Sequence, residues 1–158
     1  MTERRGRLIV IAGLPGAGKT RLATALAARH AGTIYSPDDW MEALGIDLWD
    51  STKREAIEAL QWRQAQDLLR LGGTAIIEWG TWGRSERDTL REDARALGAA
   101  AELHFLDAPP EVLYQRTITR GRENPPLTLE QLREYSATIE RPTAEEFALF
   151  DPPSDPLL

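Results

Sequence analysis

Eight consecutive residues, Gly13-Leu14-Pro15-Gly16-Ala17-Gly18-Lys19-Thr20, carry glycines, a lysine and a threonine at the spacing GxxxxGKT. Each residue type answers a need of a polyphosphate. Glycines let successive backbone N–H groups curl around phosphate oxygens, and a helix opening directly behind them adds positive potential. The Lys19 ammonium is expected to bridge the β- and γ-phosphates of ATP, and the Thr20 hydroxyl to coordinate Mg²⁺. Lysine is scarce in this chain: Lys19 and Lys53 are the only 2, against 17 arginines. The compact ammonium thus falls where a point charge suits phosphate better than a planar guanidinium does.

Moving a γ-phosphoryl group to a hydroxyl asks for three further parts: an acid to hold and deprotonate the acceptor, an acid for the metal shell, and mobile cations for the migrating group. Asp38 is the expected base. Its neighbour Asp39 fits better as an acid favoured by a helix N-terminus, behind Ser36 as N-cap and Pro37 at the first helical position. Glu78 closes a third apolar run, the place expected of the metal-shell acid. Arg116 and Arg120 are four apart, on one helix face, and with Arg122 they lead into Gly121 to Pro126, the composition of a phosphate-closing lid. Trp40, Trp79 and Trp82 all follow strands on one edge and are expected to wall an acceptor pocket. Trp49 and Trp62 are assigned to packing, Asp107 to a helix cap, and His104 to no role.

The elements that must position these residues are readable from pattern. Leu8 to Ala12 is an unbroken apolar run, as in a strand buried on both faces of a parallel sheet. Leu22, Ala25, Leu26 and Arg29 then follow helical spacing up to Gly32, which sits where a C-cap glycine belongs. Thr33 to Tyr35, Thr74 to Glu78 and Leu103 to Leu106 read as further strands. Thr52-x-x-Glu55 reads as a capping box for a long helix that turns Ile57, Leu60, Gln64 and Leu68 inward. Ser85 caps the next helix, Pro109-Pro110 starts another, Thr128-x-x-Gln131 is a second capping box, and a last helix begins at Thr143. Strands alternating with helices imply an α/β fold with a parallel sheet covered on both faces.

At 158 residues the chain fits one domain over residues 1–150, followed by a proline-rich tail over 151–158. A net charge of −6 disfavours nucleic acid as a partner. With no cysteine and only His30 and His104, disulfides and zinc sites built on thiolates or several imidazoles are excluded. The apolar run after the basic start is too short for a signal core or a membrane span, so a cytoplasmic protein without membrane contact is expected, as a monomer or homodimer. A Ras-like GTPase would need an Asn-Lys-x-Asp motif, and the single asparagine, Asn124, stands in Glu-Asn-Pro-Pro. Ring-forming ATPases need a longer chain. A compact kinase remains.

Gly13 to Thr20, Ser36-Pro37-Asp38-Asp39-Trp40, Ile76 to Arg87, and Leu106-Asp107-Ala108-Pro109-Pro110 with Arg116 resemble a bacterial family of predicted kinases with an AAA-type domain. That family is similar in layout to the kinase domain of polynucleotide kinase, to chloramphenicol phosphotransferase and to zeta-toxin kinases. The resemblance covers nearly the whole chain. It implies a P-loop NTPase fold, a three-layer α/β/α sandwich with a parallel sheet in the order 2-3-1-4 and an optional fifth strand. It also implies Asp38 as general base and Arg116 and Arg120 as lid arginines. One departure matters: polynucleotide kinases carry an arginine soon after the aspartate pair, whereas Trp40-Met41 follows here. The expected acceptor is therefore a small-molecule hydroxyl. The alternatives are a 5′-hydroxyl polynucleotide kinase and a nucleotide-binding regulatory module without transfer chemistry.

Overall fold

Leu8 to Ala12 can be apolar without alternation because helices cover both sides of the strand they form. The computed structural model describes residues 4–154. Asp155 to Leu158 of the expected tail, and Met1 to Glu3 of the basic start, lie outside the described residues. The strands are β1 (Arg7–Ala12), β2 (Thr33–Tyr35), β3 (Thr74–Gly80) and β4 (Ala100–Phe105). The helices are α1 (Lys19–His30), α2 (Pro37–Ala43), α3 (Ser51–Arg70), α4 (Arg84–Ala96), α5 (Pro110–Arg120), α6 (Leu129–Thr138) and α7 (Ala144–Leu149). All strand pairs are parallel, in the order β2-β3-β1-β4, the order the resemblance implies. No fifth strand joins the sheet among the described residues. No helix among them is long and apolar enough to cross a membrane.

The two faces of β1 seed two cores. Leu8, Val10 and Ala12 pack with Ala65 and Leu69 of α3 and Leu90 and Ala94 of α4. Ile9 and Ile11 pack with Ala23 and Leu26 of α1. A third cluster, Leu14, Ala17, Leu113 and Leu132, sets α5 and α6 against the turn between β1 and α1. Near its C-terminal end β3 holds one extra residue relative to β1, since Val10 pairs with Ile77 but Ala12 with Gly80. Such a bulge increases local twist and re-aims side chains.

Several local expectations change. Helix α3 starts at Ser51 with Asp50 as N-cap, its side chain accepting from the Lys53 amide at 3.1 Å, so the Thr52 box is not used. Asp is the stronger cap and comes first along the chain. The buried face of α3 is Ile57, Gln61, Ala65 and Leu69, with Leu60 46% exposed and Gln64 outward. Helix α1 ends through Ala31 in the left-handed region (φ 50) instead of through Gly32. Gly32 is small for another reason: a Cβ there would lie 3.1 Å from Ile76 Cδ1 and 3.2 Å from Thr74 Cγ2. Gly83, not Ser85, precedes α4, without a side-chain cap. Asp107 caps nothing; Pro109 is the N-cap of α5, and Asp107 instead accepts from Arg141 Nε at 2.8 Å.

Arg87 of α4 has a side chain 0% exposed and ties three segments together. Its Nε donates to Glu146 of α7 at 2.7 Å and its Nη2 to the other Glu146 oxygen at 3.0 Å. Nη1 reaches the Thr81 carbonyl at 2.8 Å, and Nη2 also reaches that of Glu140 at 2.8 Å. Thr81 lies in the left-handed region (φ 44), a costly place for a β-branched residue. The buried guanidinium holds that turn. At the opposite end of the sheet, the Asp151 amide donates to Ala101 of β4 at 2.7 Å and its carboxylate accepts from the Ala101 amide at 2.8 Å.

Candidate active site

The turn between β1 and α1 wraps backward on itself because its glycines take positions other residues resist. At Gly16 (φ +82) a Cβ would also come 2.8 Å from the Leu113 carbonyl oxygen, so the close approach of α5 needs its absence. Lys19 opens α1 and folds its ammonium back over the turn, donating to the Gly13 and Leu14 carbonyls at 2.9 Å each. Burial lowers the Lys19 pKa to about 8, against the attraction of Glu78 and Asp38. Thr20 Oγ1 donates to Glu78 Oε1 at 2.5 Å. Burial raises the Glu78 carboxyl above its ordinary range, opposed by that hydroxyl and by Lys19. A hydroxyl beside a carboxylate is the hard-oxygen donor set that suits Mg²⁺.

Three spaces meet at this turn. A cleft of about 230 Å³ is lined by Gly18, Lys19, Thr20, Glu78, Arg116 and Arg120. On one side it shares Gly18, Arg21 and Arg116 with a groove of about 850 Å³ that continues along Leu22, Leu106 and Phe147. On the other it shares Lys19, Thr20, Glu78 and Arg120 with a pocket of about 420 Å³. Asp38 lines that pocket. Arg116 Nη1 donates to the Gly16 carbonyl at 3.1 Å, and Arg120 Nη2 to Glu123 at 2.8 Å.

One side of the pocket wall is apolar, with aromatic Trp49, Trp79, Trp82 and Tyr135 beside aliphatic Leu48 and Leu127. Trp82 tilts against Tyr135 with ring centroids 5.0 Å apart, and Trp79 meets Trp62 edge-on at 6.4 Å. Two expectations about tryptophans are thereby corrected. Trp40 does not line the pocket; at the fourth position of α2 its ring turns back onto the core beneath the sheet. Trp49 is no packing residue: it is 36% exposed and faces the pocket from the loop between α2 and α3. Trp79 and Trp82 line the pocket, and Trp62 packs against the core.

Asp38 and Asp39, adjacent in sequence, part company. Asp38 Oδ1 lies 2.6 Å from Arg54 Nη1 of α3, while Arg54 Nη2 donates to the Leu48 carbonyl at 2.9 Å. The ion pair is close but poorly aligned, leaving Asp38 Oδ1 without a well-formed hydrogen bond. Asp39 is outside the pocket and accepts from Arg122 Nη2 at 2.5 Å, and Glu42 accepts from Arg122 Nε at 2.5 Å. Burial works against the charge of Arg122, but those two carboxylates outweigh it and raise its pKa. Arg122 therefore straps the segment after α5 to α2 instead of pointing to the cleft. Arg54 and Tyr135 carry no motif that could have found them; each reaches the site only through packing of a distant helix.

Glu58, one turn beyond Arg54, is half-buried. Burial and then Glu86 push its carboxyl up to about 7, with Arg54 pulling the other way and Glu55 and Asp38 adding to the rise. The folded protein therefore holds a proton that the unfolded chain releases near pH 4.5. Stability from this group is complete below that pH and lost as pH rises through 7. Glu58→Gln is expected to raise stability at pH 8 by on the order of 1 kcal/mol after solvent screening, with the gain vanishing near pH 4. Thermal melts of both proteins across that range check it.

Residues 8–142 match the profile of the AAA domain family. The chain belongs to that family. Its fold is the kinase-like P-loop fold. A gluconokinase from Sinorhizobium meliloti 1021 superposes with a TM-score of 0.60 at 24% identity, over 91% of this chain and 81% of its own. Kti12 from Chaetomium thermophilum, solved with ADP-AlF3, gives 0.67 at 18% identity over 87% of this chain and 82% of that one. A chain of the Pnkp1/Rnl/Hen1 RNA repair complex gives 0.73 at 18% identity over 95% of this chain, which spans 48% of that one. At such identities the likeness carries the fold. No curated protein sequence matches the chain.

Proposed function

We propose that this AAA-domain protein is an ATP-dependent phosphotransferase that moves the γ-phosphoryl group to a hydroxyl of a small molecule. The observation that carries this reading is the continuity of the three spaces: a groove for a nucleoside, a glycine-lined cleft for its phosphates, and a pocket that opens onto the end of the cleft with Asp38 in its wall.

In this reading the amides from Leu14 to Lys19 hold the phosphates, and Lys19, Arg116 and Arg120 neutralise them. Lys19 turns its ammonium to the phosphate oxygens, giving up its bonds to Gly13 and Leu14. Thr20 and Glu78 would hold Mg²⁺, which when bound neutralises phosphate charge. The Asp38 carboxylate takes the proton of the acceptor hydroxyl, whose oxygen forms the new bond to the γ-phosphorus as the bond to the β-phosphate oxygen breaks and ADP leaves. Arg54 keeps the Asp38 carboxylate turned into the pocket.

Calorimetry with MgATP and an ADP-release screen over hydroxyl compounds test the reading. Lys19→Ala is expected to weaken MgATP binding at least tenfold and to lower turnover with any acceptor. Binding of ATP without acceptor-dependent ADP release across the screen would favour a regulatory module instead, and unaltered binding in Lys19→Ala would remove the cleft from the argument.

A further inference from the structure

We infer that the acceptor is an uncharged alcohol with a flat aromatic body, not a sugar acid, a polyol, an aminoglycoside or a nucleic-acid end. The inference rests on the phosphotransferase reading for the use of the pocket, but the selectivity follows from how the wall spends its polar atoms. Each indole N–H is already engaged inside the protein. Trp49 Nε1 donates to the Pro125 carbonyl at 2.9 Å, Trp79 Nε1 to Gln61 Oε1 at 2.9 Å and Trp82 Nε1 to the Gly13 carbonyl at 3.3 Å. What the tryptophans offer a ligand is their faces and edges, backed by Leu48 and Leu127. Aromatic faces of this kind prefer another flat ring, stacked with an offset or met edge-on.

Two of the three arginines in the pocket wall are committed as well: Arg54 is paired with Asp38, and Arg122 with Asp39 and Glu42. The third, Arg120, faces the phosphates of ATP in this reading, as Lys19 does. A carboxylate or phosphate on the acceptor would have to break one of these pairs to be held, and an ammonium would have to displace an arginine from a carboxylate. Either exchange gives up an ion pair of the wall, a modest cost at the partly exposed Arg54 and a larger one at Arg122, whose side chain is 14% exposed. A pyranose can also lie on a tryptophan face, yet beyond the hydroxyls that could reach Ser51, Tyr135 or Asp38 its ring would meet indole N–H groups already occupied, and its remaining hydroxyls would give up water without replacement. A single hydroxyl directed at Asp38 avoids both penalties. The volume of about 420 Å³ admits one fused or substituted ring.

The test is calorimetric binding in the presence of Mg²⁺ and a non-hydrolysable ATP analogue, so that binding is read apart from transfer. Phenylethanol and naphthalenemethanol are the flat probes; gluconate, glucose, an aminoglycoside and a 5′-hydroxyl oligonucleotide are the competitors. Naphthalenemethanol is expected to bind at least tenfold more tightly than any competitor, and Trp49→Ala to weaken it about tenfold. In Leu48→Lys, which adds an unpaired cation to a partly exposed loop position, the preference is expected to shift toward gluconate. Tighter binding of any competitor to the unaltered protein, or no saturable binding of the flat alcohols, overturns the inference. ADP release measured with ATP in the same mixtures separates the two claims. Transfer to gluconate or to the oligonucleotide would sink the selectivity and leave the kinase standing; flat alcohols that bind but never accept phosphate would sink the acceptor inference, and the kinase reading falls with it only if no compound in the screen releases ADP.

Discussion

Asp38→Asn will abolish phosphoryl transfer while leaving ATP bound. The amide keeps the shape of the carboxylate but takes no proton at neutral pH, and a positioned general base contributes about 10²–10⁴-fold to rate. Turnover is therefore expected to fall by that factor, with the dissociation constant for MgATP within twofold of the original, because Asp38 lines the pocket and not the cleft. Asp39→Asn is the internal comparison. Its carboxylate is outside the pocket and bonded to Arg122, so transfer is expected to persist there. Arg54→Met should behave between the two, raising KM and lowering kcat modestly, since it removes the pairing that orients Asp38 but not the carboxylate itself. Single-turnover measurements with saturating ATP distinguish these outcomes. Full activity in Asp38→Asn would end its assignment as base.

The largest effect on stability is expected at Arg87. Arg87→Met leaves Glu146, whose side chain is 1% exposed, with only the more distant Arg84 guanidinium, 3.8 Å from its Oε1, and no hydrogen-bonded cation, a loss of about 3–5 kcal/mol. For a chain of this length that corresponds to a fall in Tm on the order of 10 °C. The methionine also deprives the Thr81 and Glu140 carbonyls of a donor, and Trp82 lies between them in the pocket wall, its own carbonyl accepting from the Glu140 amide at 2.9 Å. Pairing the substitution with Glu146→Leu removes the stranded charge and is expected to restore most of the lost stability, as replacement of a buried ion pair by apolar groups often does. Denaturant melts of the single and double variants read this directly; equal loss in both would show that the carbonyl contacts dominate and the ion pair does not.

The elements whose burial is continuous were the most legible. Leu8 to Ala12 announces a strand covered on both faces because every residue faces one helix or another, and Gly13 to Thr20 announces the turn behind it because backbone amides, not a packed side chain, set that spacing. Thr128 and Gln131 form the capping box their types foretell, with the Thr128 hydroxyl accepting from the Gln131 amide at 3.1 Å. What sequence pattern could not resolve was rotation and long-range pairing. The inward face of α3 is set by what it meets: Gln61 is buried and accepts from Trp79 Nε1 at 2.9 Å, so the face runs through Ile57, Gln61, Ala65 and Leu69 and not through Leu60. Trp40 and Trp49 exchange their expected places for the same kind of reason: each lies in or after a short helix whose roll is set by α3. The partnership of Arg54 with Asp38 spans two helices, and no local spacing encodes it.

The sheet has two outer borders, and the protein guards them differently. At one, β2 is only 3 residues long, too short to recruit a neighbour. At the other, β4 runs for 6 residues and is sealed by Asp151, which answers the amide and the carbonyl of Ala101 together. Asp151 thus works as a selvedge: it binds off the margin at Ala101, where the backbone would otherwise stand open for a strand of a second copy to extend the weave.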